Sequence, residues 1–276
     1  MWRAASRRDY SDREPVDPRD GPAVVGAHLA SGGSSLRNGE VAVGIITSVV
    51  ATAGFYIPLN RIMDGPDLPT SSYAQYLLPL ITLQAIAFAS VTTAYRAATD
   101  SVQGLNRRLK ALPIASLTPL VARISASFYR CAIALAVALV CGYVIGFRFH
   151  RGPVYIVAFC LLVLLTGLAL SFLGDVIGTN SRNPAATTQW LLLPQLIFGY
   201  LSVGIQPVQR FPEWIRPIVR NQPISQLVYA LQALAGDSTP GTAPVTWSVV
   251  APAIAWMIGL ILVTVPFAII VYRRRN

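Results

Sequence analysis

Lys110 is the only lysine in this chain of 276 residues, and Ala111 follows it. A phosphate-binding P-loop needs a lysine followed by Ser or Thr after a glycine-rich turn, so that the loop can hold the β- and γ-phosphates. That motif is excluded, and any ATP dependence has to come from another chain. Metal chemistry is equally thin. The two histidines, His28 and His150, are separated by three apolar segments, which puts them on opposite sides of a membrane. Cys131, Cys141 and Cys160 fall inside apolar runs, and three such residues make neither a disulfide framework nor a zinc pattern. They read as small residues facing lipid or other helices. No nucleophile elbow occurs, and no paired carboxylates sit within the apolar runs. The acidic residues gather in the tail (Asp9, Asp12, Glu14, Asp17, Asp20) or between the apolar runs. Arg130 lies near one end of a run and is read as snorkelling to the membrane surface. Asp175 and Arg182 flank a short turn and are read as a solvated helix end. A membrane enzyme or proton-coupled carrier places several ionisable groups at membrane depth. This pattern points away from an enzyme.

The elements that carry these residues are set by composition. The chain is 54% hydrophobic and only 12% charged, about half the charge of a soluble domain. A bilayer span needs about 20 mainly apolar residues, and six segments qualify: 41–58, 73–95, 126–147, 154–174, 190–205 and 247–272. The fifth is short and contains Pro194. The expected fold is therefore an all-α integral membrane protein of six transmembrane helices. Residues 1–22 are polar and lack the apolar core of a signal peptide. The first apolar segment is thus expected to stay in the protein, behind a largely disordered tail spanning residues 1–35. The net charge of +10 could suggest nucleic acid, but the basic residues lie in the tails and connections, where topology explains them.

Orientation follows from those basic residues. Sixteen of the 22 Lys and Arg residues lie before the first span, between the second and third (counting Arg130 at the start of the third), between the fourth and fifth, or after the sixth. The remaining six lie on the opposite side. Cytoplasmic connections carry the excess of Lys and Arg, so both termini are expected in the cytoplasm of a multi-pass plasma-membrane protein. The near-complete use of Arg over Lys suggests a GC-rich, actinobacterial source.

Two connections carry recognisable patterns. Between the second and third spans, Arg107, Arg108 and Lys110 interleave with Leu105, Leu109 and Leu112, whose i, i+4, i+7 spacing predicts a short helix with one apolar stripe. Pro113 stops it. Such a helix could rest among headgroups or insert into a groove on a cytoplasmic partner, and the periodicity serves both equally. Between the fifth and sixth spans, Pro207, Pro212, Pro217 and Pro223 chop the chain into short pieces, with Trp214 and Tyr229 suited to the interface.

The first of these segments resembles the cytoplasmic coupling helix of type-2 ABC exporter permeases, and is most similar to the daunorubicin-resistance branch. Asp100, Gly104, Arg107, Leu112, Pro113 and Ile114 fit its pattern in order. The second resembles the outer stretch of the same family, through Pro207, Phe211, Pro212, Trp214, Ile215, Pro217, Asn221, Pro223 and Ser225. The resemblance covers roughly residues 35–276, and so takes residues 36–276 as a type-2 ABC transmembrane domain. It implies a coupling helix built from Gly104, Arg107, Arg108, Leu109, Leu112, Pro113 and Ile114, docked on a cytoplasmic ATPase subunit that holds ATP and magnesium. It implies short re-entrant helices at the outer leaflet, with Phe211, Pro212, Trp214, Ile215, Pro217, Asn221 and Pro223 as an outer gate. A second copy or a paralogue would complete the permease. The family also has a basic amphipathic helix before the first span, but Ser31–Ser35 reads Ser-Gly-Gly-Ser-Ser with little positive charge, a departure from it.

The spans offer only mild polarity (Thr47, Ser48, Gln84, Ser90, Thr92, Thr93), so any pathway they line suits a hydrophobic or amphipathic drug or a lipid. The reading is an ATP-driven exporter's permease subunit, with no cofactor of its own and no nucleic-acid partner. Export of cell-surface polysaccharide and a stand-alone secondary carrier are the alternatives. The first would need more aromatic lining than 9% of the chain supplies, and the second more charge at membrane depth.

Overall fold

The computed structural model describes residues 45–46, 48–50, 52–61, 71–104, 118–237 and 244–275. All of them belong to one unit, Val41–Asn276. Their regular elements are all helices, with no strand among them. A first helical stretch, α1, lies within 45–61. Then come α2 (Tyr73–Val102), α3 (Thr118–Val144), α4 (Pro153–Asn180) and α5 (Pro184–Tyr200). A 3-10 turn at Val208–Arg210 precedes the short helices α6 (Arg216–Asn221) and α7 (Pro223–Ala235), and α8 (Trp247–Arg275) ends the chain.

Local signals start these helices. The Ser72 side chain caps α2 by accepting from the Gln75 amide at 3.2 Å, and Asn183 caps α5 through the Ala186 amide at 3.2 Å. Pro153, Pro184 and Pro223 each occupy the first turn, where a missing N–H removes nothing from the helix.

Among the described residues, four helices are long and apolar enough to cross a membrane: Tyr73–Val102, Ser125–Val144, Pro153–Asn180 and Trp247–Thr264. The other two expected spans differ from these. Part of the first lies outside the described residues. The fifth is a 17-residue helix, about 25 Å long at about 1.5 Å per residue, and it starts and stops early: Pro184–Tyr200 replaces the expected 190–205. Apolar length alone extended that expectation into Ser202–Ile205, which are buried but not helical. At the end where α2 and α4 finish, helices overrun the expected spans. α2 runs to Val102 rather than 95, α3 starts at Thr118 rather than 126, and α4 runs to Asn180 rather than 174. A helix does not stop where hydrocarbon stops, because its backbone bonds are internal and need no lipid.

α2 is the hub, packed by α3, α4, α5 and α7. Its Tyr73, Leu77, Leu78, Ile81 and Ile86 are fully buried. Against α4 the packing is made close by small residues. A Cβ placed on Gly174 would sit 2.9 Å from the Ser90 carbonyl oxygen, and one on Gly178 only 2.2 Å from that of Ala94. Small residues let helix backbones approach in this way where lipid supplies no hydrophobic drive. Ser90 and Ser171 hydroxyls meet across the seam at 3.2 Å, and Ser101 donates to the Thr179 carbonyl at 2.8 Å. α2 and α4 therefore run parallel, with their C-termini at one end of the bundle.

Candidate functional site

The most unusual backbone in the molecule follows α5. Beyond Tyr200 the chain passes through turns at 201–205 before reaching the 3-10 turn. Gly199 lies level with Gln84 and Gly204 with Leu80, so this irregular stretch climbs beside the first three turns of α2, at membrane depth. Non-helical backbone is tolerated there only when buried in protein with its polar groups satisfied. Ser202, Val203 and Ile205 are indeed buried, and side chains replace the missing helical bonds. Tyr76 Oη donates to the Val203 carbonyl, and Tyr73 Oη to that of Ile205 at 3.1 Å. Gln222 Nε2 donates to the carbonyls of Leu201 at 2.8 Å and Phe198 at 3.2 Å. The Ser202 hydroxyl donates to Gly199 at 2.8 Å. Ser225 Oγ accepts from the Val203 amide at 3.2 Å and from Gln222 Nε2 at 2.9 Å.

The rest of the segment between α5 and α8 is tied to the same end of α2. Gln75 reaches three ways: Nε2 donates to the Gly236 carbonyl at 2.7 Å and the Arg148 carbonyl at 2.9 Å, while Oε1 accepts from the Arg148 amide at 3.1 Å. Gln232 Nε2 donates to the Tyr76 carbonyl at 3.0 Å. The His150 amide donates to the Ala235 carbonyl at 3.0 Å, which joins α7 to the α3–α4 connection. Ser71 bonds the Asp237 carboxylate through both its amide and its hydroxyl. Arg216 braces the middle, donating to the carbonyls of Phe211 at 2.8 Å and Gln209 at 3.0 Å. Burial pushes the Tyr229 phenol above its usual range, and the Arg220 guanidinium opposes the shift. Together these bonds fix α6 and α7 as a cap on α2.

The expected gate residues differ in their surroundings. Phe211 is buried and Ile215 packs on the core, whereas Pro212, Pro217 and Asn221 are exposed. Trp214 is 76% exposed, on the face away from the packing. Pro223 opens α7. The residues that hold the segment are different ones: Gln222 and Ser225 within it, and Tyr73, Gln75 and Tyr76 on α2. Of these, the sequence pattern singled out Ser225 and passed over the other four. The signal was present, since an amide side chain inside an apolar run needs partners.

Of the expected coupling residues, Gly104 is described. It follows α2 at φ +71°, in the left-handed region that glycine enters without strain, and it turns the chain out of the helix. Arg107, Arg108, Leu109, Leu112, Pro113 and Ile114 lie outside the described residues.

Arg130 lies about a turn and a half inside the apolar stretch Ser125–Val144. Its guanidinium is half-buried and donates from Nη2 to Thr93 Oγ1 and to Ser127 Oγ, each at 3.0 Å. One reading is corrected. Asp175 is no solvated end: α4 carries on to Asn180, which leaves Asp175 inside the helix and only 8% exposed. The mildly polar residues proposed for a pathway mostly face neighbouring helices of the same chain. Ser48 bonds the Ala134 carbonyl at 3.4 Å, and Ser90 and Thr93 bond across α2–α4 and α2–α3. Thr92 bonds its own helix at Ala89, and Thr47 lies outside the described residues.

Comparison with known proteins agrees with this architecture. The chain is 49% identical over 246 residues to the doxorubicin resistance ABC transporter permease protein DrrB of Mycobacterium tuberculosis, covering 87% of this chain and 85% of that protein. It is 28% identical over 235 residues to the probable doxorubicin resistance ABC transporter permease protein DrrC of the same organism, covering 84% and 82%. It is 27% identical over 210 residues to the daunorubicin resistance ABC transporter permease protein DrrB1 of Streptomyces coeruleorubidus, covering 75% and 71%. Residues 41–270 match the family described as ABC-2 family transporter protein. With long apolar helices around a capped α2 and a match over most of its length, this chain belongs to the ABC-2 transporter family as a membrane permease subunit.

Proposed function

We propose that this permease exports an amphipathic drug-like molecule outward across the plasma membrane, driven by a separate cytoplasmic ATPase, with a second permease copy or paralogue completing the pathway. The 49% identity to a doxorubicin resistance permease over most of both chains carries this reading. The chain crosses the membrane six times with both termini inside, α1 and the short α5 adding to the four long spans. The 16-to-6 distribution of basic residues supports that orientation. Residues 104–114 couple to the ATPase. Closure of the ATPase pair on ATP pushes this stretch, and α2 carries the movement to the outer segment, which gates release. Support for this route is the position of Gly104 at one end of α2 and of the capped segment at the other.

Co-purification tests the coupling. The wild-type chain, expressed with a P-loop ATPase subunit of the same transporter class, should pull it down. Replacing Leu109→Asp and Leu112→Asp should abolish the pull-down. Retained binding by the double variant would remove the coupling assignment. Doxorubicin transport that survives inactivation of the ATPase but stops on collapse of the proton gradient would replace the exporter with a secondary carrier.

A further inference from the structure

Gln84 and Gln195 meet where no polar group has reason to be. Gln84 lies eleven residues into α2, about 16 Å from its start at about 1.5 Å per residue, near the middle of a hydrocarbon core about 30 Å thick. Gln195 approaches it from α5, its Nε2 donating to Gln84 Oε1 at 3.2 Å. The contact is shaped for Gln84. A Cβ on residue 199 would fall 1.9 Å from Gln84 Nε2, so Gly199 leaves the space in which that amide sits. Gln84 is 4% exposed, and its side chain bonds another amide side chain across two helices. This differs from Gln75, Gln222 and Gln232, whose amides are used to hold backbone. Polar residues kept at membrane depth mark function.

The surroundings indicate what meets the pair. Gln195 is partly exposed, and α5 places Phe198 one turn away with an exposed ring. Tyr200 follows, also exposed, its ring 5.6 Å from that of Phe55 on α1. One donor and one acceptor beside aromatic faces suit a ring-bearing molecule with carbonyl and hydroxyl groups. A simple acyl chain would offer neither amide a hydrogen bond. We infer that Gln84 and Gln195 form a recognition point for an oxygenated, ring-bearing amphipathic cargo, held by its polar groups on the two amides and by its apolar body against Phe198 and Tyr200.

This inference rests on the drug-export reading, and the test separates the two. The full chain, reconstituted in nanodiscs, is titrated with doxorubicin and with tetraphenylphosphonium, an aromatic cation that has no hydrogen-bonding group. Gln195→Leu and Gln84→Leu should each weaken doxorubicin binding about tenfold, the scale of one or two lost hydrogen bonds to a buried partner. Tetraphenylphosphonium should bind them as it binds wild type. Because the two amides act as one unit, the double variant should be little worse than either single. Gln195→Leu lies on the exposed side and guards against a folding defect in Gln84→Leu. Doxorubicin binding unchanged in Gln195→Leu overturns the inference and leaves the export reading intact. Equal loss of both ligands, or loss of the dimer, also overturns it and makes the pair structural. Wild-type chain that binds no doxorubicin removes the cargo reading and this inference together.

Discussion

The α2–α4 seam and the segment after α5 solve the same problem in opposite ways. In the seam both helices are continuous, so each backbone satisfies itself and the contact needs only to be close. Small residues supply that, with Gly174 and Gly178 against Ser90 and Ala94. After Tyr200 the chain stops satisfying itself, and long polar side chains carry the burden instead. Gln222, Tyr73 and Tyr76 reach across to four carbonyls, and Ser225 accepts from one amide, all groups that a helix would have bonded internally. Bulk therefore matters most in the seam, and hydrogen-bonding groups matter most in the broken segment.

Five substitutions would break or sharpen that contrast, each followed by thermal unfolding of the full chain in detergent. Gly178→Leu should be the most damaging, at about 3 kcal/mol or more, because its Cβ meets the Ala94 backbone rather than a flexible side chain. Good folding of that variant would mean that the seam is not tight. Gln222→Leu keeps the volume but orphans two buried carbonyls, and should lose about 2 kcal/mol. If it were neutral, water rather than protein would be satisfying them. Tyr73→Phe removes one hydroxyl from the Ile205 carbonyl and should cost about 1 kcal/mol, while Ser90→Ala in the seam should cost less, since the helix backbone there is already bonded. The reverse order of these two would erase the distinction. Trp214→Ala should leave stability within about 0.5 kcal/mol, because its ring faces away from the packing. A large loss would show a contact on the cap beyond this chain.

Much of this was legible in the residues. The apolar runs of α2, α3, α4 and α8 announce long helices, and four prolines announce a broken chain after α5. Helix ends were not legible, because Arg96 and Asp100 read as the start of a connection, although α2 keeps its backbone bonds past both. Apolar Val203 and Ile205 likewise read as span, although the chain there has left the helix. The roles of the glutamines were hidden for another reason. Gln222 bonds residues 21 and 24 positions away, and Gln75 bonds residues 73 and 161 positions away, distances at which no local pattern survives. Arg130 was legible as lying near the start of its span, but its bond to Thr93 on α2, 37 positions away, was not.

The borrowed bonds of residues 201–205 also set an order of manufacture. This stretch cannot be at ease in hydrocarbon on its own, since the hydroxyls of Tyr73 and Tyr76 that complete it belong to a helix made more than a hundred residues earlier in the chain. During synthesis from the N-terminus, α2 is already in the bilayer and waiting when α5 emerges. The early helix thus serves as a template against which the late, broken one is laid down. A fragment beginning at α5 should accordingly fail to accumulate in membranes when expressed alone. It should recover when a fragment carrying α1 to α4 is expressed beside it, as protease protection of the two pieces would report.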